Sequence, residues 1–260
     1  MKDTMLITGA SSGIGKELAR IHAEKGGDLI LVARRADKLE ELKAELVSKY
    51  KLNVICITKD LSVPGAAKEL YEEVRAHKIE VEFLVNNAGF GLRGKFHELS
   101  WDRQYQMMQL NMLALSELTY LFLPEFVKRN SGRILNTSST ASFIPGPLQA
   151  VYYATKAYVT FFGNALAEEL SDTNITVTTL MPGATETEFA STSGMDKTAL
   201  FEQAVSARSV AEDGYKGMMQ GKLDVISGLT FSQKISFSLL PFMPKKTILK
   251  QVHNMQKVNE

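Results

Sequence analysis

Short continuous apolar runs alternate along the chain with longer stretches whose apolar positions recur every three or four residues. The runs cover residues 4–8, 29–33, 53–58, 83–86, 133–138, 175–180 and 223–226. A run apolar at every position, such as Leu29-Ile-Leu-Val-Ala33, is the pattern of a parallel strand buried on both faces. Between the runs the period becomes helical. Residues 37–50 carry Leu39, Leu42, Leu46 and Val47 on one stripe. Further helices are expected at 16–25, from Pro64 to about His77, at 101–128 with a disturbance at Pro124, at 152–170 and at 209–221. Residues 184–207 show the least regular pattern, and the tail from Phe231 mixes apolar and basic residues. Strands alternating with helices imply right-handed βαβ units. The expected architecture is α/β: one doubly wound parallel sheet of about seven strands with helices on both faces. The whole of 1–260 reads as a single domain, with 190–208 and 228–260 as a lid and a C-terminal elaboration.

Composition narrows the function classes. Thirty basic against 29 acidic residues leave a formal charge of +1, with no electrostatic footprint for nucleic acid. The single cysteine, Cys56, excludes an intramolecular disulfide and lies in an apolar run, as a small buried hydrophobe would. No stretch has the 18 apolar residues of a membrane span, and the N-terminal apolar run is too short for a signal peptide, so a cytoplasmic enzyme is the expectation. His22, His77, His97 and His253 show no metal-ligand spacing.

Parallel sheets bind ligands at the carboxyl ends of their strands, and the chemically suggestive residues fall there. Gly9, Gly13 and Gly15 lie between the first strand and the first helix, where glycines let backbone N–H groups approach a pyrophosphate at the helix N-terminus. The same residues, Gly9-Ala-Ser11-Ser-Gly13, also match the G-x-S-x-G elbow of serine hydrolases. Against that alternative, almost no chain precedes Gly9 to supply an oxyanion loop, and His253 is the one histidine in plausible order. The second strand ends Arg34-Arg35 with no carboxylate, which favours a cofactor carrying a 2′-phosphate, NADP(H) over NAD(H); a solvated basic pair is the bland alternative. Tyr152 and Lys156, four residues apart, share one helix face. An ammonium there favours the phenolate and pulls the tyrosine pKa down, which suits proton exchange with an alcohol or carbonyl oxygen. Most such pairs are ordinary surface neighbours, so the rest of the chain decides.

Together these residues resemble the short-chain dehydrogenase/reductase family over roughly Met5 to Thr187. The resemblance rests on Thr8-Gly-Ala-Ser-Ser-Gly-Ile-Gly15, Asp60-Leu61, Asn86-Asn-Ala-Gly89, Asn111, Asn136-Thr-Ser-Ser139, Tyr152-x-x-x-Lys156 and Pro182-Gly183. It implies a Rossmann-type fold and an NADP(H)-dependent oxidoreductase acting on a carbonyl or secondary alcohol. By resemblance, the backbone of Gly9, Ser12, Gly13, Ile14 and Gly15 would hold the pyrophosphate. Ser11, Arg34 and Arg35 would meet the 2′-phosphate. Asp60 and Leu61 would flank the adenine, and Asn87, Ala88 and Gly89 the adenosine ribose. Pro182, Gly183, Thr185 and Thr187 would sit against the nicotinamide. Ser139, 13 residues before Tyr152, is selected over Ser138 and would bond the substrate oxygen. Tyr152 would be the general acid or base, Lys156 would lower its pKa and bond the nicotinamide ribose, and Asn111 would hold a water in a proton path. Tyr153 has Ala157 where a lysine would be needed. Ala184-Thr185 departs from the aliphatic residues common after Pro-Gly, and the chain end lacks the strand that many members bury in a tetramer.

Substrate contacts are expected from 90–95, 143–149 and 184–201. Phe143, Ile144, Pro145, Pro147 and Leu148 make the middle loop apolar, which points to an apolar or amphipathic carbonyl substrate. Phe231, Ile235 and Leu239, with Lys234, Lys245, Lys246 and Lys250, form a stripe open to a membrane surface, although core or oligomer contact is its commoner meaning. The helices from Trp101 and Tyr152 would, by resemblance, build a homodimer or homotetramer.

Overall fold

The computed structural model describes residues 3–196, 198, 201, 204–230, 233, 235 and 243–257. Its strands are β1 (Thr4–Thr8), β2 (Asp28–Ala33), β3 (Val54–Thr58), β4 (Phe83–Asn86), β5 (Gly132–Thr137), β6 (Ile175–Pro182), β7 (Thr185–Glu186), β8 (Val205–Ser206) and β9 (Asp224–Ser227). The helices are α1 (Gly13–Glu24), α2 (Ala36–Tyr50), α3 (Ala66–Ala76), α4 (Trp101–Met108), α5 (Leu115–Arg129), α6 (Ala150–Glu169), α7 (Phe189–Ser193), α8 (Ala207–Met219) and α9 (Lys245–Met255). Seven strands form one parallel sheet in the order β3-β2-β1-β4-β5-β6-β9, while β7 and β8 pair separately.

Both faces of the sheet are covered, which is why its strands read as unbroken apolar runs. Met5, Ile7, Leu29, Leu31 and Val85 pack toward α1, α2 and α8. Their neighbours Leu6, Ile30, Val32 and Leu84 pack on the opposite face, toward α3, α5 and α6. Successive side chains along a strand point to opposite faces, so each run serves two cores. Strand order reverses between β1 and β4. The loops leaving those two strands diverge there and open a crevice at their carboxyl ends.

The helical stretch from Trp101 is disturbed elsewhere than expected. Pro124 lies inside α5 without ending it, on the exposed side of the helix, where Tyr120, one turn earlier, is exposed as well. The irregularity is a π-helical segment, Gln109–Ala114, containing buried Asn111. The tail contains α9, whose helical stripe consists of only two buried apolar residues, Ile248 and Val252. Of the proposed membrane stripe, Ile235 is exposed, and Phe231, Lys234 and Leu239 lie outside the described residues.

Candidate active site

The loop after β1 is shaped by its glycines. Gly9 and Gly13 adopt φ of +69° and +53°, the left-handed region that glycine enters without strain. A Cβ on Gly15 would collide with the Gly9 carbonyl and the Asn87 amide, so only glycine lets α1 start this close to β1. Ser12 occupies the N-cap of α1 but its side chain caps nothing, and no acid stands in the first turn. The exposed N–H groups are left to an anion. Thr8 stitches this loop to the one after β4. Its hydroxyl donates to the Val85 carbonyl at 3.3 Å and accepts from the N–H groups of Asn87 and Ala88 at 3.0 Å each. Sequence reasoning placed Thr8 in a motif but gave it no role; a threonine closing an apolar strand was the available signal.

A cleft of about 450 Å³ runs along the carboxyl edge of the sheet. It brings together Gly9, Ser11, Ser12, Gly13, Ile14, Arg34, Arg35, Asp60, Leu61, Asn87, Ala88, Gly89, Ser139, Tyr152, Lys156, Pro182, Gly183, Thr185 and Thr187. Gly15 and Asn111 stand behind this wall. Both arginines are at one end. Arg34 is exposed, with its guanidinium 4.0 Å from Asp60. Arg35 donates to Ser11 Oγ at 3.2 Å and forks onto Glu188 at 3.1 and 2.8 Å, a partner the sequence did not reveal. Ser11 meets an arginine rather than a histidine, no histidine lines the cleft, and His253 is exposed on α9. The nucleophile-elbow alternative therefore has no base.

At the other end, Ser139 caps a short 3-10 turn, Thr140–Phe143. Its Oγ accepts from the Ala141 N–H at 3.1 Å and donates to the Pro182 carbonyl at 3.3 Å. It also stands beside the Tyr152 phenol in the cleft and favours its ionised form. Ser138 instead bonds the Lys156 carbonyl at 2.8 Å and Thr160 at 2.7 Å, tying β5 to α6. Lys156 Nζ donates to the Thr137 carbonyl at 2.8 Å and stands 5.8 Å from the Tyr152 ring centroid. Burial lowers the lysine pKa to about 8. Burial also pushes the Tyr152 phenol well above its ordinary value, opposed by the Ser139 hydroxyl. The expected depression of the tyrosine is thus reversed, because desolvation outweighs an ammonium held toward Thr137. Asn111 uses its amide on the Phe90 backbone, at 3.0 and 3.1 Å, and on Thr155 Oγ1 at 3.1 Å, fixing the loop after β4 against α6.

Two further features belong to this end. The apolar middle loop contributes less than expected: Phe143 is exposed, Ile144 packs behind the cleft on the cluster around Tyr152 and Tyr153, and of residues 143–149 only Gln149 lines the cleft. The apolar wall comes instead from Phe90, Tyr153, Phe189, Met195 and Phe201. The second feature is α9. Ile248 and Val252 pack into the cluster around Tyr152 and Tyr153, and Gln256 Nε2 donates to the Tyr153 hydroxyl at 2.8 Å. Burial pushes that second phenol up to about 12.

A glycine-cradled, anion-ready loop at one end of the crevice, and half-buried Ser139 beside buried Tyr152 and Lys156 at the other, define a dinucleotide-dependent oxidoreductase of the Rossmann class. The short chain dehydrogenase family model matches residues 3–198, and the chain belongs to that family, whose members are oxidoreductases acting on hydroxyl and keto groups of small molecules. Over 199 residues it is 39% identical to an NADP-dependent 3-hydroxy acid dehydrogenase of Schizosaccharomyces pombe, covering 72% of this chain and 73% of that protein. It is 32% identical to the human very-long-chain 3-oxoacyl-CoA reductase, over 71% of this chain and 60% of the human one, so it spans less than two thirds of that relative. Among solved structures, a short-chain dehydrogenase from Sphingobium yanoikuyae in complex with NADPH superposes with a TM-score of 0.83 at 30% identity, covering 94% of this chain and 97% of the other. No described helix is long and apolar enough to cross a membrane.

Proposed function

We propose that the protein is an NADP(H)-dependent oxidoreductase that interconverts a carbonyl and a secondary alcohol on an apolar or amphipathic molecule, with Tyr152 as general acid and base. The observation that carries the reading is that Ser139, Tyr152 and buried Lys156 line the same cleft as the glycine loop, with Lys156 Nζ 5.8 Å from the Tyr152 ring centroid. The cleft fits the cofactor. Gly9 and Gly13 turn the loop, and the first N–H groups of α1 suit the pyrophosphate. Arg34 and Ser11 suit a 2′-phosphate; Asp60 and Leu61 suit the adenine. The relatives named for NADP or solved with NADPH support the same choice.

When bound, NADPH supplies the hydride that reaches the carbonyl carbon. Ser139 and Tyr152 hold the carbonyl oxygen where negative charge develops, the Ser139 hydroxyl by turning from the Pro182 carbonyl to which it donates in the free protein. Burial keeps Tyr152 protonated at neutral pH, so it starts as the acid. Lys156, with a pKa near 8, is still cationic at neutral pH and stabilises the phenolate left after proton transfer. In the oxidation direction the same phenolate accepts the alcohol proton. Asn111 holds the loop bearing Gly89 and Phe90 in register with Lys156, and its place in a water-mediated proton path belongs to this reading. The aromatic wall of Phe90, Phe189 and Phe201 supports an apolar substrate, as do relatives acting on 3-hydroxy acids and very-long-chain 3-oxoacyl groups.

A homo-oligomer is part of the same reading. Tyr120 on α5 and Phe161 on α6 are 75% and 74% exposed, beside Leu113 and Tyr158. Such an apolar face suits a second copy.

The test is NADPH absorbance decay with a panel of ketones, on wild type and Tyr152→Phe. General acid catalysis contributes about 10²–10⁴-fold, so the variant should lose that much in kcat while NADPH still binds in a fluorescence titration. Equal rates would remove Tyr152 from the role.

A further inference from the structure

The balance of charge reverses along the chain. Residues 1–224 hold 25 basic and 28 acidic side chains, whereas residues 225–259 hold five lysines and no acid. Such asymmetry marks a segment that meets an anionic partner. Four of those lysines stand on or at the end of α9. Ile248, Val252 and Gln256 turn inward, onto the cluster of Tyr152 and Tyr153 at the substrate end of the cleft. At about 100° per residue, Lys246, Lys250, His253 and Lys257 fall on the opposite side in one stripe, and all four are exposed.

Helix energetics run against this arrangement. Lys245 and Lys246 occupy the first turn, the positive end of the helix dipole, where an acid is favourable and none is present. Lys246 and Lys250 are like charges one turn apart, which also destabilises a helix. No carboxylate compensates, since none of these lysines has an ion-pair partner among the described residues. A charge pattern kept against helix stability calls for a partner of opposite sign. The cation type says which kind. All five are lysine, and no arginine lies beyond Arg208. Carboxylates on a protein surface are gripped best by the planar fork of arginine, whereas lysine is a hydrated point charge suited to a diffuse sheet of anions. Ile235, Met243 and Met255 are exposed on the same segment and add apolar contact that a purely aqueous polyanion would not use. We propose that the outer face of α9 docks the protein peripherally on an anionic lipid surface, no described helix being long and apolar enough to span one. The acidic excess of residues 1–224 turns the rest of the molecule away from that surface. The docked helix also forms the wall against Tyr153, so the chamber lies about 10 Å, one helix diameter, from the lipid.

Docking stands apart from the oxidoreductase reading, and its test needs no turnover. The full chain is sedimented with vesicles of phosphatidylcholine alone and of an equimolar mixture of phosphatidylcholine and phosphatidylglycerol. The protein should pellet with the mixed vesicles at low salt, stay in solution with phosphatidylcholine alone, and leave the mixed vesicles as salt rises. A lysine near such a surface contributes roughly fivefold in affinity, so Lys246→Gln with Lys250→Gln should lower the partition coefficient roughly 25-fold. Lys49→Gln with Lys68→Gln removes the same charge from exposed sites on α2 and α3 and should change it little. Glutamine is a good helix former and relieves the like-charge repulsion, so the Tm of the α9 variant should not fall. Wild type that ignores the mixed vesicles overturns the proposal and leaves the face to an acidic protein. Equal losses in the two variants overturn it as well, because overall charge rather than α9 would then govern binding. Equal binding to phosphatidylcholine alone has the same consequence, and a lower mass by light scattering in the α9 variant would assign the face to a second copy.

Discussion

Replacing Glu188 by glutamine should tighten NADPH binding. The Glu188 carboxylate holds two donors of the Arg35 fork, at 3.1 and 2.8 Å, and Arg35 also reaches Ser11 at 3.2 Å. Ser11 and Arg35 are where a 2′-phosphate would bind, so the carboxylate stands in competition with it and adds a like charge beside it. The Arg35 hydrogen bond holds the Glu188 carboxyl below its ordinary range, so it is ionised at neutral pH. Both side chains are substantially exposed, and exposed pairs are worth about 0.2–1 kcal/mol. Removing the competitor should therefore lower the Kd for NADPH by up to about fivefold. NADH lacks the phosphate and should bind Glu188→Gln as it binds wild type. Arg34 offers an internal contrast: its ionic contact is a distant 4.0 Å, leaving it available to the phosphate, and Arg34→Gln should weaken NADPH alone. Fluorescence titrations of both nucleotides at low and high salt measure all of this, and the gain should shrink with salt. Weaker NADPH binding in Glu188→Gln would refute the argument, because Glu188 would then be orienting Arg35 rather than competing for it. An equal change for NADH would refute it too.

Two other outcomes follow from geometry away from the cleft. His22 is buried as the neutral tautomer, with Nε2 donating to the Asp3 carbonyl at 3.0 Å and Nδ1 accepting from Tyr215 at 3.2 Å. Burial depresses its pKa below 6.5, so the unfolded chain binds the extra proton first; stability present above pH 6.5 is lost as pH falls toward the depressed value. Tm measured from pH 8 to 5 should drop less steeply in His22→Gln than in wild type, and parallel curves would assign the acid limb to other groups. Phe161→Glu places a charge on the apolar face of α5 and α6 and should halve the mass seen by light scattering, whereas an unchanged mass would exclude that face from assembly.

The sheet was legible because its strands are buried on both sides, which leaves continuous apolar runs such as Leu29–Ala33 that no surface element imitates. Motifs fixed to strand ends could therefore be located at those ends, and the family's 13-residue spacing pointed to Ser139 rather than to Ser138, whose hydroxyl ties β5 to α6. What sequence could not carry were properties of the assembled environment. The Tyr152 pKa moves upward because of burial, a quantity absent from the Tyr-to-Lys spacing. Arg35 and Glu188 are 153 residues apart and nothing local announces their pairing. The helix α9 went unseen because Ile248 and Val252 give it too narrow a stripe. The π-helical segment around Asn111 left no mark, since every residue in it suits an α-helix, whereas Pro124, the visible breaker, lies on a solvent face where its missing hydrogen bond costs little.

The bond from Gln256 to Tyr153 also sets an order of events on the ribosome. These residues are 103 positions apart, so at about 5–20 residues per second Tyr153 waits roughly 5–20 s for its partner to be made. The glycine loop, β1 and β4 all precede Tyr153 and can assemble first. The residues of the nucleotide end are therefore all made while the far wall is still unsynthesised, and the closed chamber for the substrate waits on the last residues of α9.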